Sequence, residues 1–173
     1  MSASRTLTEK EWKVILPLLG AAVVNPPKDG STASSDETIA YHEAGHALTG
    51  LSLGRRLNFV TLDPPHCDFA EPSGNVREQA QIVALTAMGG PIAENQVFGV
   101  SLGFPDDIDR IREAIAPHLG IRREIDVFQT LGEDVRKVLK LNRGRLDALA
   151  TALARRRRLS GADADAILRN VRS

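Results

Sequence analysis

The chain is 173 residues long, enough for one domain with a short appendage, and its 22 basic and 22 acidic residues leave a formal net charge of zero. That balance argues against a general polyanion binder. The single cysteine, Cys67, excludes an intramolecular disulfide framework, and no apolar run approaches the ~20 residues that span a bilayer. The amino terminus lacks the basic start and apolar stretch of a signal peptide. A soluble, cytoplasmic chain is therefore expected, with neither nucleic acid nor membrane among its partners. Aromatic residues make up only 4% while Ala, Leu and Arg are abundant, which favours a mainly α fold.

In chain order, residues 7–19 read as a short amphipathic helix, with Thr8 and Glu11 at capping-box spacing and Trp12, Ile15, Leu16 and Leu19 as its apolar stripe. Pro17 should kink it or end it early. Residues 25–35, rich in Pro, Gly, Ser and Asp, read as a linker, so the expected division is an N-terminal helix and linker over 1–33 and a body over 34–173. Ser34 and Glu37 again have capping-box spacing, and a long helix is predicted over about 35–53, stopped by Gly54. Leu57–Leu62 alternates and is β-prone, with Pro64-Pro65 ending it; it is the one convincing strand, so the β-element is expected to be small and confined to about 57–63. Residues 76–98 read as a helical hairpin or broken helix, interrupted at Gly89-Gly90-Pro91. Pro105 with Asp106 and Asp107 opens another helix, ending near Gly120. Arg- and Leu-rich helices over 121–141 and 143–157 follow, then a last one over about 161–171.

The chemistry-bearing motif is His42-Glu43-Ala44-Gly45-His46, an H-E-x-x-H match inside the predicted helix over 35–53. Helical positions four apart are offset by only about 40° and one turn of rise, so both imidazoles can reach one ion. Imidazole nitrogen suits zinc, whose catalytic sites take three protein ligands and leave a position for water. Glu43 projects too far round to be the preferred third ligand, yet close enough to accept a proton from that water. Composition and spacing leave the third ligand open among Glu94, Asp106, Asp107, Asp109, His66, His118 and Cys67. Asp106 and Asp107 also have a plain reading as acids at a helix N-terminus, and His118 as a base near a helix C-terminus.

At this point a family resemblance enters. Ile39 to Leu48, around the two histidines, resembles the zinc-binding helix of the FtsH/paraplegin-type ATP-dependent metalloproteases. Val60-Thr61-Leu62-Asp63-Pro64, Met88 to Gly99, Gly103 to Ile108 and Leu159 to Leu168 resemble further segments of its peptidase domain, in the same order. The resemblance covers roughly 34–173. It implies a helical zinc-metallopeptidase fold with His42, His46 and Asp107 on the ion and Glu43 as catalytic base. Glu94 is implied as a residue supporting those ligands, or as the alternative third ligand. The implied function is zinc-dependent hydrolysis of peptide bonds in unfolded or flexible protein substrates, as a homo-oligomer or beside a partner ATPase. A strand near Leu57–Leu62 would take substrate as an added strand.

This sequence departs from the family in three ways. It has no G-x-x-x-x-G-K-[ST] phosphate loop and no membrane span, so the expectation is a stand-alone peptidase. Leu-Gly-Phe-Pro-Asp precedes Asp107 where the family has a small, polar run, and Pro65-His66 follows the strand where it often has a basic residue and Gly. The contrasting reading is a non-catalytic binding or adaptor module stapled by zinc, which the intact Glu43 disfavours. The basic run Arg155 to Arg158 reads as a solvated helix end, and Cys67 as a small buried hydrophobe.

Overall fold

Helix α1 (Asp36–Ser52) is buried on nearly all sides, which its composition explains. Ala40, Ala44, Gly45, Ala47 and Gly50 carry little or no side chain, so neighbouring elements come close to its backbone. Strand β1 (Leu57–Leu62) and helices α2 (Val76–Phe98) and α5 (Arg143–Arg156) pack on it. Helices α3 (Pro105–Ile115) and α4 (Ile121–Leu141) lean on α2, and α6 (Gly161–Asn170) lies against α5. The core joins Met88 and Ile92 of α2 to Leu139, Leu146, Leu149 and Leu153, all within 1% exposure. Residues 36–99, 105–115 and 121–171 are described in this computed structural model. The helix predicted over 7–19, the linker, the Ser34 cap and His118 lie outside them. Among the described residues no helix is long and apolar enough to cross a membrane.

The predicted interruption at Gly89-Gly90-Pro91 does not occur. α2 is one continuous helix of 23 residues with Pro91 inside it, opened by an Asn75–Glu78 capping box and closed by Gly99 at φ 73°. An interior proline costs about 3 kcal/mol in an isolated helix. Tertiary packing offsets that here, since Pro91 and its neighbours Ile92 and Ala93 are buried. The glycine pair serves contact between helices instead of a break. A Cβ on Gly45 would fall on the Gly89 carbonyl oxygen and 2.5 Å from the Ala93 Cβ, and one on Gly89 would reach the Gly45 carbonyl and stand 2.6 Å from Thr49 Oγ1. The two backbones therefore touch. Gly45→Ala should gain about 1 kcal/mol of helix propensity but force apart two rigid backbones, and overpacking of a core costs about 1–3 kcal/mol even where side chains can move. The expected net result is a loss of at least about 1 kcal/mol, read as a lower urea midpoint at unchanged slope.

The fold is mainly α, as its composition suggests, but the sheet is larger than the sequence reading. β1 pairs antiparallel with β2 (Pro65–Phe69) on one side and with β3 (Arg158–Ser160) on the other, in the order β2-β1-β3. Pro65, expected to help end a strand, instead begins one opposite Leu62; a proline is tolerated as the first residue of an edge strand. β1 is thus central and has no free edge for substrate, contrary to the expectation above. Among the described strands, the outer edge toward the cleft belongs to β2.

The basic run is not simply solvated. Arg157 caps α5 in the left-handed region at φ 64°. Its guanidinium donates to Asp63 Oδ2 at 2.8 Å and lies 2.7 Å from Asp36 Oδ2, tying the start of α1 to the β1–β2 turn. Arg158 stacks over the Phe59 ring at 3.8 Å. Hydrogen bonding from Arg157 holds the Asp63 carboxyl below its ordinary range. A depressed carboxylate pKa adds stability above the unfolded value of about 3.9 and loses it as pH falls through the folded value. Thermal midpoints of the natural chain and Arg157→Ala should therefore differ at pH 7 and converge below about pH 4.

Candidate metal centre

His42 and His46 sit one turn apart on the buried face of α1, at 7% and 6% exposure. Their Nε2 atoms face each other at 2.9 Å. Asp107, in the first turn of α3, closes the group: its Oδ2 is 2.9 Å from His42 Nε2 and its Oδ1 3.2 Å from His46 Nε2. Among the described residues these three form the one cluster in which a ligand atom from each of at least three His, Cys, Asp or Glu residues lies within 4.8 Å of the others. The neighbouring acids go elsewhere. Asp106 and Asp109 are exposed, so an acid at a helix N-terminus describes Asp106 but not the buried Asp107.

The nitrogens facing away from the cluster each lie near a polar group on α2. His46 Nδ1 lies 2.8 Å from the Thr86 carbonyl and 3.2 Å from the Gly90 backbone N–H, while its Nε2 faces the cluster. Glu94, 2% exposed on α2, places Oε1 3.4 Å from His42 Nδ1. Its carboxylate therefore lies on the side of the His42 ring opposite Asp107. Burial disfavours a charged His42, yet Asp107 and Glu94 outweigh it and push the imidazole up to about 10. Burial would raise the Asp107 carboxyl, and His46 and His42 overcome this to hold it well below its usual range.

Glu43 is buried at 6% exposure and lines the same cleft, of about 330 Å³. His66 and Cys67, on β2, line it from another side without joining the cluster. The Cys67 thiol donates to the Glu43 backbone carbonyl at 3.2 Å, and burial followed by Glu43 pushes its pKa up, which suits an inert packing role. Gly90, on α2, was not singled out by sequence reasoning. A Cβ there would run into His46 Nε2 and stand 2.6 Å from His42 Nε2. By local rules the Gly-Gly doublet reads as a helix break, and the resemblance over Met88 to Gly99 assigns Gly90 no role.

These residues fit a divalent zinc ion. Two imidazole nitrogens and one carboxylate are a donor set that catalytic zinc takes. Two Nε2 atoms 2.9 Å apart, beside two buried carboxylates, need a positive charge between them. The same carboxylates raise the His42 pKa, and a bound cation would supply the positive charge they favour. Gly90 leaves open the space that any side chain would fill beside both nitrogens.

No family model matches the chain. Curated relatives do. FtsH from Metamycoplasma arthritidis, named an ATP-dependent zinc metalloprotease, is 32% identical over 114 residues, covering 55% of this chain. FtsH 1 from Symbiobacterium thermophilum is 30% identical over 182 aligned positions, covering 83%. The Lactococcus lactis FtsH is 32% identical over 114 residues, covering 56%. The chain spans 15% to 31% of the length of these three proteins. Zinc, the metal in their names, is one that a His/His/Asp group can hold. Over the region these matches cover, the chain is related to the FtsH ATP-dependent zinc metalloproteases.

Proposed function

We propose that this chain is a zinc metallopeptidase that cuts peptide bonds in unfolded or flexible protein segments. One observation carries the reading: His42, His46 and Asp107 converge in a cleft that Glu43 also lines. In this reading His42 and His46 hold the ion through Nε2 and Asp107 through its carboxylate. Zinc, when bound, supplies Lewis-acid polarisation of a carbonyl and lowers the pKa of water toward neutrality. The rest is done by this chain's own groups. Glu43 takes the proton of the attacking water and hands it to the leaving amine. The Thr86 carbonyl and the Gly90 N–H, both beside His46 Nδ1, and Glu94, beside His42 Nδ1, keep both rings in register. The outer edge of β2, unpaired among the described strands and with Pro65 and His66 lining the cleft, offers backbone groups along which an extended substrate can lie. A cytoplasmic setting and association with further copies or with a separate ATPase belong to the same proposal.

The test is cleavage of casein and of a broad peptide library by zinc-loaded protein, repeated after chelation and after zinc is restored. Cleavage that disappears with the metal and returns with it is expected. A fully zinc-loaded preparation that leaves every peptide intact would instead mark zinc as a structural staple in a binding module.

A further inference from the structure

The cleft is lopsided in charge. Glu43, Glu94, Asp106 and Asp107 line it, and the one lining side chain with a permanent positive charge is Arg110. Arg110 is exposed and follows Asp107 by three positions on α3, so the two project from neighbouring positions on the helix surface. Arg110 and Cys67 line the same cleft, the one from α3 and the other from β2. Among the described residues no carboxylate pairs with Arg110, although acids line the same space. A planar guanidinium presents paired N–H donors that match a carboxylate, and it keeps its charge at every relevant pH.

We propose that Arg110 determines specificity, and that the cleft prefers peptides presenting a carboxylate close to the bond cut. The carboxylate is either an Asp or Glu side chain or the peptide's own C-terminal group. This deepens the peptidase reading and rests on it.

The experiment uses the zinc-loaded full chain and matched peptides carrying Glu, Gln or Lys at each position flanking one cleavable bond, each with a free or an amidated C-terminus. An ion pair at an exposed guanidinium contributes up to about 1 kcal/mol, so a Glu-to-Gln ratio in kcat/KM of about two- to fivefold is expected at one position. If the preference instead vanishes on amidation, the C-terminal carboxylate is the group read. In either case Arg110→Gln should collapse the ratio toward one, and Arg110→Glu should turn it toward Lys, with zinc content unchanged. Equal cleavage of all three peptides by the natural chain, or a ratio that survives Arg110→Gln, would overturn the proposal. Fluorescence anisotropy of the same peptides on zinc-loaded Glu43→Gln protein gives a second readout that does not need turnover. If no peptide is cut, the peptidase reading fails on its own, and equal affinity for Glu and Gln peptides then also refutes the role of Arg110.

Discussion

A Gly90→Ala chain should fold and yet lose its zinc. The added methyl would occupy the space beside both donor nitrogens, against His46 Nε2 and 2.6 Å from His42 Nε2. Gly90 lies in the continuous, buried stretch of α2, so its backbone has no room to withdraw. The rings must turn instead, and turning His46 breaks its 2.8 Å bond to the Thr86 carbonyl. That bond contributes about 1 kcal/mol to stability, while alanine gains about 1 kcal/mol of helix propensity over glycine. Overpacking against the buried rings adds a cost of about 1–3 kcal/mol, so the chain should fold with a lowered midpoint while the larger damage falls on the metal. Disturbing groups that orient metal ligands lowers affinity by about 10–100-fold, and displacing the ligands themselves should reach at least the upper figure. Chelator competition reads the affinity, and circular dichroism checks the helix content. Native zinc affinity in Gly90→Ala would show that the nitrogens do not meet an ion on that side.

Glu43→Gln should keep its zinc and lose its cleavage. The substitution preserves size and hydrogen-bonding reach but removes the basic oxygen. Glu43 lies outside the His42–His46–Asp107 cluster, so metal content should match the natural chain. General acid–base catalysis contributes about 10²–10⁴-fold, and kcat should fall by that range while KM changes little. Equal turnover by both proteins would remove Glu43 from the chemistry. Loss of zinc together with activity would instead make Glu43 part of the metal's support.

How much of this the amino-acid sequence reveals depends on the range of the interactions involved. The His42–Glu43–His46 spacing is a local property of one helix, and the helix forms where the pattern places it. Ligands supplied by other elements are a long-range matter. Spacing left seven candidates for the third position, and only the resemblance pointed to Asp107, which packing turns inward while Asp106 stays in solvent. Gly89, Gly90 and Pro91 misled because local rules describe an isolated helix. Buried against α1, the same residues are what let two backbones touch. β3 was illegible for a similar reason: three residues beside an arginine run carry no strand signal, and pairing with β1 across nearly a hundred positions creates the strand. Arg157 shows the same limit, since its partners Asp36 and Asp63 are remote in sequence.

The most direct measurement is diffraction from zinc-loaded crystals at the zinc absorption edge. The account predicts a single anomalous peak about 2.0–2.2 Å from His42 Nε2, His46 Nε2 and an Asp107 oxygen, with Glu43 unbound beside it. A chain that takes up no stoichiometric zinc, or a peak held by the histidines with Asp107 turned away, would contradict it.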